Sequence, residues 1–333
     1  NACVNGIIAA RVDLLVVAGD LFDSARPSIA ALSDCVRGLL RIRQALPKMP
    51  VVIAAGNHDA SRIETSGYEG SSPLAIPSHV GAKVVLRAER VSLPALSAHV
   101  MVVPDRDIGR VALEPSCAAG THLLLAHGKF SASLYRLPEA ECLSPESISP
   151  AFAYAALGDL HVASSVAANA HYSGSTEWTS SNAWGELPGA PKGWNEFDTE
   201  TGVLTRHEIP TRRHIDLPAI SAYDLSQQEL VAQILAQLAA VDVADAVIRQ
   251  VVTDCRWITS HAMDQRPIRA AVRSATAWQL DIRRPVEISA GVRVLVPVAV
   301  ELEPEPVPGD PDYYAPDEPI PDRPQPWDAD AAA

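Results

Sequence analysis

The chain has 333 residues, of which 47% are hydrophobic and 20% charged, proportions that suit a globular protein of one large domain and an appendage. No apolar run reaches the ~20 residues of a membrane-spanning helix, and the five cysteines are scattered without a C-x-x-C pair, as expected of reduced thiols in a cytoplasmic protein. The net charge of −13 argues only weakly against nucleic acid: from Glu301 onward ten acids face the single Arg323, so most of the excess sits in the last residues.

Four apolar runs share one grammar. Residues 14–17 read as a buried strand that runs into Gly19-Asp20-Leu21-Phe22-Asp23. After it, Ile29, Leu32, Val36, Leu39 and Leu40 fall at the spacing of one helix face, and Pro47 and Pro50 end that helix. Residues 51–55 form the next strand and run into Gly56-Asn57-His58-Asp59. Residues 61–79, rich in Ser, Gly and Pro, predict a loop or broken helix beside the site. Three short strands follow at 83–86, 90–93 and 99–103, the first two read as a hairpin. Asp105-Arg106-Asp107 then opens a polar connection whose charges are expected to be solvated.

Residues 123–126 run into His127-Gly128, and residues 130–150 read as a polar insertion without clear periodicity. Residues 154–157 run into Gly158-Asp159-Leu160-His161. Each of the four strands thus delivers Asp, Asn or His at its C-terminal tip, where open α/β sheets place their ligands. Oxygen and imidazole donors without thiolates suit manganese, iron or zinc in a hydrolytic centre. His171 is read as a neighbour of this site and a candidate substrate contact.

Thr201-Gly202 predicts a turn between strands at 194–198 and 203–209. Near Pro210 the pattern changes. Ser226-Gln227-Gln228-Glu229 is a capping box for a helix bearing Leu230, Val231, Ile234, Leu235 and Leu238 on one face. A strand at 247–252, a helix at 267–274 and a strand at 278–282 complete a small α+β domain. A last strand is expected at 292–300, and the Pro- and acid-rich residues 301–333 are expected to form a disordered tail.

These motifs resemble those of the calcineurin-like metallophosphoesterases: G-D-x-x-D at Gly19 to Asp23, G-N-H-[DE] at Gly56 to Asp59, a lone His at His127, and the last motif at Gly158 to His161. Phe22, Arg26-Pro27-Ser28, Tyr172-Ser173-Gly174-Ser175 and Lys192-Gly193 are similar to the SbcD-like DNA repair nucleases within that superfamily. The resemblance implies a four-layer α/β/β/α sandwich over residues 1–210 and a small C-terminal α+β capping domain over 211–300. It implies metal-dependent phosphodiester hydrolysis of DNA with two divalent ions, manganese the first choice. It also implies an SbcC-like ABC-type ATPase partner, homodimerisation as an option, and no membrane association. Two competing functions are a phosphoesterase acting on small nucleotides or phosphomonoesters, and a non-catalytic subunit that scaffolds the ATPase.

The resemblance also assigns roles. Asp20 bridges the two ions; Asn57, His127 and Asp159 complete one, and His161 serves the other. His58 faces the phosphate, Asp59 orients His58, and Asp23 braces the loop. Arg212, Arg213, Arg283 and Arg284 either grip DNA or are ordinary surface arginines. Two departures stand out. The first family motif, a D-x-H ahead of G-D-x-x-D, is not in the sequence, and residues 1–10 look like the end of the helix that follows it, so a fragment is expected. Asp159 stands where most relatives carry His, which is expected to retune the site without abolishing it.

Overall fold

The computed structural model describes residues 2–59, 72–178, 183–187, 189 and 191–285. The strand expected at 292–300, the acidic tail and most of the loop expected at 61–79 lie outside these residues.

A short helix α1 (Ala2–Ala10) leads to strand β1 (Leu15–Ala18). Helix α2 (Ile29–Ala45) follows, its N-cap Ser28 accepting the Ala31 amide, and returns the chain to β2 (Val51–Ala54). Helix α3 (Ala75–His79) then precedes β3 (Lys83–Val85). These three strands form a parallel sheet in the order β1-β2-β3.

The second sheet has six strands. They are β4 (Glu89–Leu93), β5 (Ala98–Val103), β6 (Thr121–His127), β7 (Tyr154–Gly158), β8 (Ser164–Ala167) and β9 (Ala170–Tyr172), in the order β4-β5-β6-β7-β9-β8. The neighbours from β5 through β6 and β7 to β9 are parallel, so β5, β6 and β7 end on the same side. The pleat of β2 shows how the two sheets meet. Val52 and Ala54 pack with Val100, Val102 and Leu125 of the second sheet, while Ile53 packs the other way with Phe22, Ala55 and Leu74. The outer face of the second sheet is covered by Leu113, Phe130, Ile148 and Phe152, so the insertion that lacks periodicity supplies core residues and a short helix α4 (Ala132–Tyr135).

The expected hairpin at 83–93 does not form. β3 pairs in parallel with β2, whereas β4 pairs antiparallel with β5 in the other sheet. Between them the Asp107 carboxylate accepts the Ala88 amide proton at 2.6 Å, which holds the connection as it passes between sheets.

After helix α5 (Ala183–Glu186), β10 (Gly193–Phe197) and β11 (Leu204–Glu208) form the expected antiparallel pair. The next module has its own core, built on Leu217, Leu230, Ile234, Leu238, Ile248, Val252 and Ile268. Its strands are β12 (His214–Ser221), β13 (Val247–Thr253) and β14 (Ala277–Ile282), and all three are parallel. Helix α6 (Gln227–Ala239), with the predicted capping box in place, connects the first two. Helices α7 (Trp257–Ala262) and α8 (Arg266–Ala271) connect the last two. The α+β expectation is thereby corrected to a helix-connected parallel sheet; each helix crossover is what allows a parallel neighbour. Residues up to Pro285 form one compact unit.

Candidate metal centre

The tips of β1, β2, β6 and β7 meet at His127. Its ring is fully buried, and Nδ1 lies 2.7 Å from the Ala18 carbonyl oxygen. A carbonyl can only accept, so in the neutral ring Nδ1 carries the proton and Nε2 keeps its lone pair. Around that bare nitrogen stand Asn57 Oδ1 at 3.0 Å, Asp20 Oδ2 at 3.4 Å and Asp159 Oδ1 at 3.7 Å. One imidazole nitrogen and three side-chain oxygens from four strand tips thus converge on one point. One nitrogen and three oxygens with no thiolate make a donor set for a divalent cation such as manganese, iron or zinc. The side chains flank one another at hydrogen-bond spacing; among the described residues no three His, Cys, Asp or Glu side chains are drawn into one ligating shell.

Glycine makes this convergence possible. Gly19 has φ +84°, and a Cβ there would sit 2.2 Å from His127 Nδ1. A Cβ on Gly56 would sit 2.1 Å from Asp20 Oδ1. Asp20 itself is left-handed at φ +48°, and Asp159 has φ +102°. Two non-glycine residues held in that region at one cluster fit the pattern of strain kept at functional sites.

His58 is exposed at the rim, with Nδ1 3.0 Å from the Asp23 carbonyl oxygen, while its backbone N–H donates to Asp20 Oδ1 at 2.9 Å. The expected Asp59–His58 contact is replaced by another arrangement. Asp59 is fully buried and accepts the amide protons of Leu21 at 3.1 Å, Phe22 at 2.9 Å and Gly56 at 3.2 Å. It therefore clamps the two loops that carry Asp20 and Asn57. Burial pushes its pKa up, and the nearby Asp20 charge adds to this against the three amide donors.

A profile of the family described as calcineurin-like phosphoesterase matches residues 1–151, which contain Asp20, Asn57, His58, Asp59 and His127. Residues 1–151 form a calcineurin-like phosphoesterase region. The phosphoesterase is similar to the DNA double-strand break repair protein Mre11 of Methanococcus maripaludis, at 32% identity over 65 residues, 20% of this chain and 17% of that protein. It is also similar to a subunit of the nuclease SbcCD of Rhodobacter capsulatus, at 26% identity over 293 residues, 71% of this chain and 68% of that protein. The homology is distant, and the chain spans a small part of the first relative and about two thirds of the second.

A cleft of about 1350 Å³ runs from the site along β1, and Asp20, His58, Asp159, His161 and His171 all line it. His161 is engaged away from the His127 ring of donors. Its Nδ1 lies 3.2 Å from Glu186 Oε1 on α5. His171 is held on the β8–β9 hairpin, with Nδ1 2.8 Å from Ser165 Oγ and Nε2 3.2 Å from the Ala168 carbonyl; burial lowers its pKa. Arg213 is committed to Asp242 at 2.9 Å and to the Ala244 carbonyl, and Arg283 to Asp281 at 2.8 Å. Arg212 and Arg284 are exposed.

Three groups at the cluster or at His161 carry no role in the sequence patterns. Asp105, expected to be a solvated charge, feels His127, Asp159 and Asp20, and burial raises its pKa. Its signal is its position, since it follows the tip of β5 as the other donors follow theirs. Tyr135, from the insertion, interacts through its hydroxyl with Asp159 and with Tyr172, and burial raises its pKa strongly. Glu186 has no motif to mark it.

Proposed function

We propose that this phosphoesterase is a metal-dependent phosphodiesterase acting on DNA, of the SbcD-like nuclease kind. The observation that carries the reading is the ring of Asn57, Asp20 and Asp159 oxygens around the bare Nε2 of His127. The similarity to a subunit of an SbcCD nuclease over 293 residues favours DNA over small substrates, because it runs well beyond the site motifs.

In this reading Asp20, Asn57, His127 and Asp159 hold one divalent ion, and Asp20 with His161 contributes to a second. Such ions polarise a phosphoryl oxygen and acidify a bound water. The chain's own residues do the rest. The Ala18 carbonyl fixes the His127 tautomer, a second partner of the kind that orients most ligating histidines. The His58 amide takes Asp20 Oδ1, which leaves Oδ2 on the His127 side. His58, anchored through Nδ1 on Asp23, presents Nε2 at the rim, where its protonated form gives a proton to the leaving oxygen. The module of residues 211–285 serves as the cap that grips DNA, with Arg212 and Arg284 among its exposed cations. An SbcC-type ATPase is the proposed partner.

The test is manganese-dependent cleavage of linear duplex DNA beside hydrolysis of bis(p-nitrophenyl) phosphate. DNA cleavage that disappears with EDTA and in Asp20→Asn supports the proposal. Hydrolysis of the small ester alone, or no DNA cleavage at saturating manganese, overturns it.

A further inference from the structure

Glu186 is the end of α5, and each of its carboxylate oxygens has a separate task. Oε1 faces His161 Nδ1 at 3.2 Å, and Oε2 takes Lys192 Nζ at 2.7 Å. Lys192 is a buried cation, its side chain 2% exposed. Its ammonium has three N–H groups and all three are used, on Glu186, on Ser175 Oγ at 2.8 Å and on the His161 carbonyl oxygen at 2.9 Å. The Trp178 ring covers it at 4.3 Å. A buried lysine survives only when paired and fully hydrogen-bonded, and this one is.

The same short helix is tied down from the other side. Trp184, two residues before Glu186, donates its indole N–H to Gln279 Oε1 of β14 at 3.0 Å, and the Arg249 guanidinium lies over its ring at 4.8 Å. The carboxylate is therefore placed by one anchor in the phosphoesterase body and one in the parallel-sheet module.

We propose that Glu186 is a positioning residue for His161, with Lys192 as the cation that fixes it. A carboxylate accepts, so the neutral His161 ring carries its proton on Nδ1 and leaves Nε2 bare. Free neutral histidine prefers the opposite tautomer. Metal-ligating histidines commonly gain the needed tautomer from a carboxylate on the far nitrogen. Lys192 adds a second hold, because it binds the His161 backbone carbonyl as well as the carboxylate that orients the ring. The use of bare Nε2 as a metal ligand rests on the proposed function; the tautomer does not.

The test is ¹⁵N NMR of the ring nitrogens in the full chain labelled at histidine, without metal, at about pH 8 where free histidine is neutral. His161→Gln assigns the signal. In the parent protein the His161 proton is expected on Nδ1. Glu186→Gln keeps an acceptor oxygen and should keep that tautomer, while Glu186→Ala should move the signal toward Nε2–H. Lys192→Met should weaken the bias; if that variant does not fold, the Glu186 pair still decides. A parent His161 with its proton on Nε2, or an unchanged tautomer in Glu186→Ala, overturns the proposal. Neither readout depends on whether DNA is cleaved.

Discussion

Replacing Asp59 with Ala removes the clamp that joins the first two site loops. Three amide protons, from Leu21, Phe22 and Gly56, lose their acceptor at a fully buried side chain. Each stranded buried donor costs ~1–3 kcal/mol. The low end applies to Leu21, whose bond is only part-buried. Two terms work the other way: the buried carboxylate is itself costly, as its raised pKa shows, and its loss relieves repulsion with Asp20. The balance is a loss of about 3–4 kcal/mol, or roughly 10 °C in melting temperature for a chain of this size. Asp59→Asn keeps one acceptor oxygen but turns an NH₂ toward the remaining donors, so it should lose about 2 kcal/mol. Differential scanning calorimetry of the three proteins checks the order. A melting temperature in Asp59→Ala within about 3 °C of the parent would refute the clamp, as that corresponds to about 1 kcal/mol. So would equal losses in the two variants. Loss of activity without loss of stability would return Asp59 to the expected role of orienting His58.

The glycine at the first tip is next: Gly19→Ala places a methyl 2.2 Å from His127 Nδ1 in a left-handed backbone. It should weaken manganese binding at least roughly tenfold, consistent with a strain of ~1–2 kcal/mol plus a displaced ring; unchanged affinity in calorimetric titration would count against the ring's placement. Ile248 is fully buried in the separate core of the parallel-sheet module. Ile248→Ala should cost ~2–5 kcal/mol in urea unfolding while leaving manganese affinity intact, and a fall in affinity would show that the module shapes the site. Burial, with the Asp59 charge behind it, pushes the Cys35 thiol up to about 11, whereas Cys117 is exposed. Iodoacetamide at about pH 8 should label Cys117 well before Cys35, because the thiolate is the reactive form; comparable rates by mass spectrometry would contradict that burial.

What the sequence revealed was the part written in local patterns. An apolar run closed by Gly and then Asp or Asn, or by His and then Gly, marks a strand tip without any knowledge of the partner strand, and β1, β2, β6 and β7 all obey one of the two. The capping box of α6 is likewise a four-residue signal. The hairpin expectation fails because strand spacing says nothing about which sheet a strand joins. Residues 87–89 look like a tight turn until Asp107 is seen to hold Ala88 between the sheets. Asp105 is hidden in a polar triplet, although it too follows a strand tip. Glu186 has no local mark, and Lys192-Gly193 is marked only as a resemblance without a role, because their meaning is a contact with His161 across 25 and 31 residues of chain. Asp59 invites pairing with its neighbour in sequence, yet two of its partners lie at the far end of a loop 37 and 38 positions away.

The central claim is that Asp20, Asn57, His127 and Asp159 form one divalent-cation site. Isothermal titration of the chain with manganese tests it most directly. One ion per chain is expected to bind well and a second only weakly, and the first should be lost in both Asp20→Asn and His127→Ala. Binding that survives both substitutions, or two equally tight ions in the parent chain, would contradict the assignment.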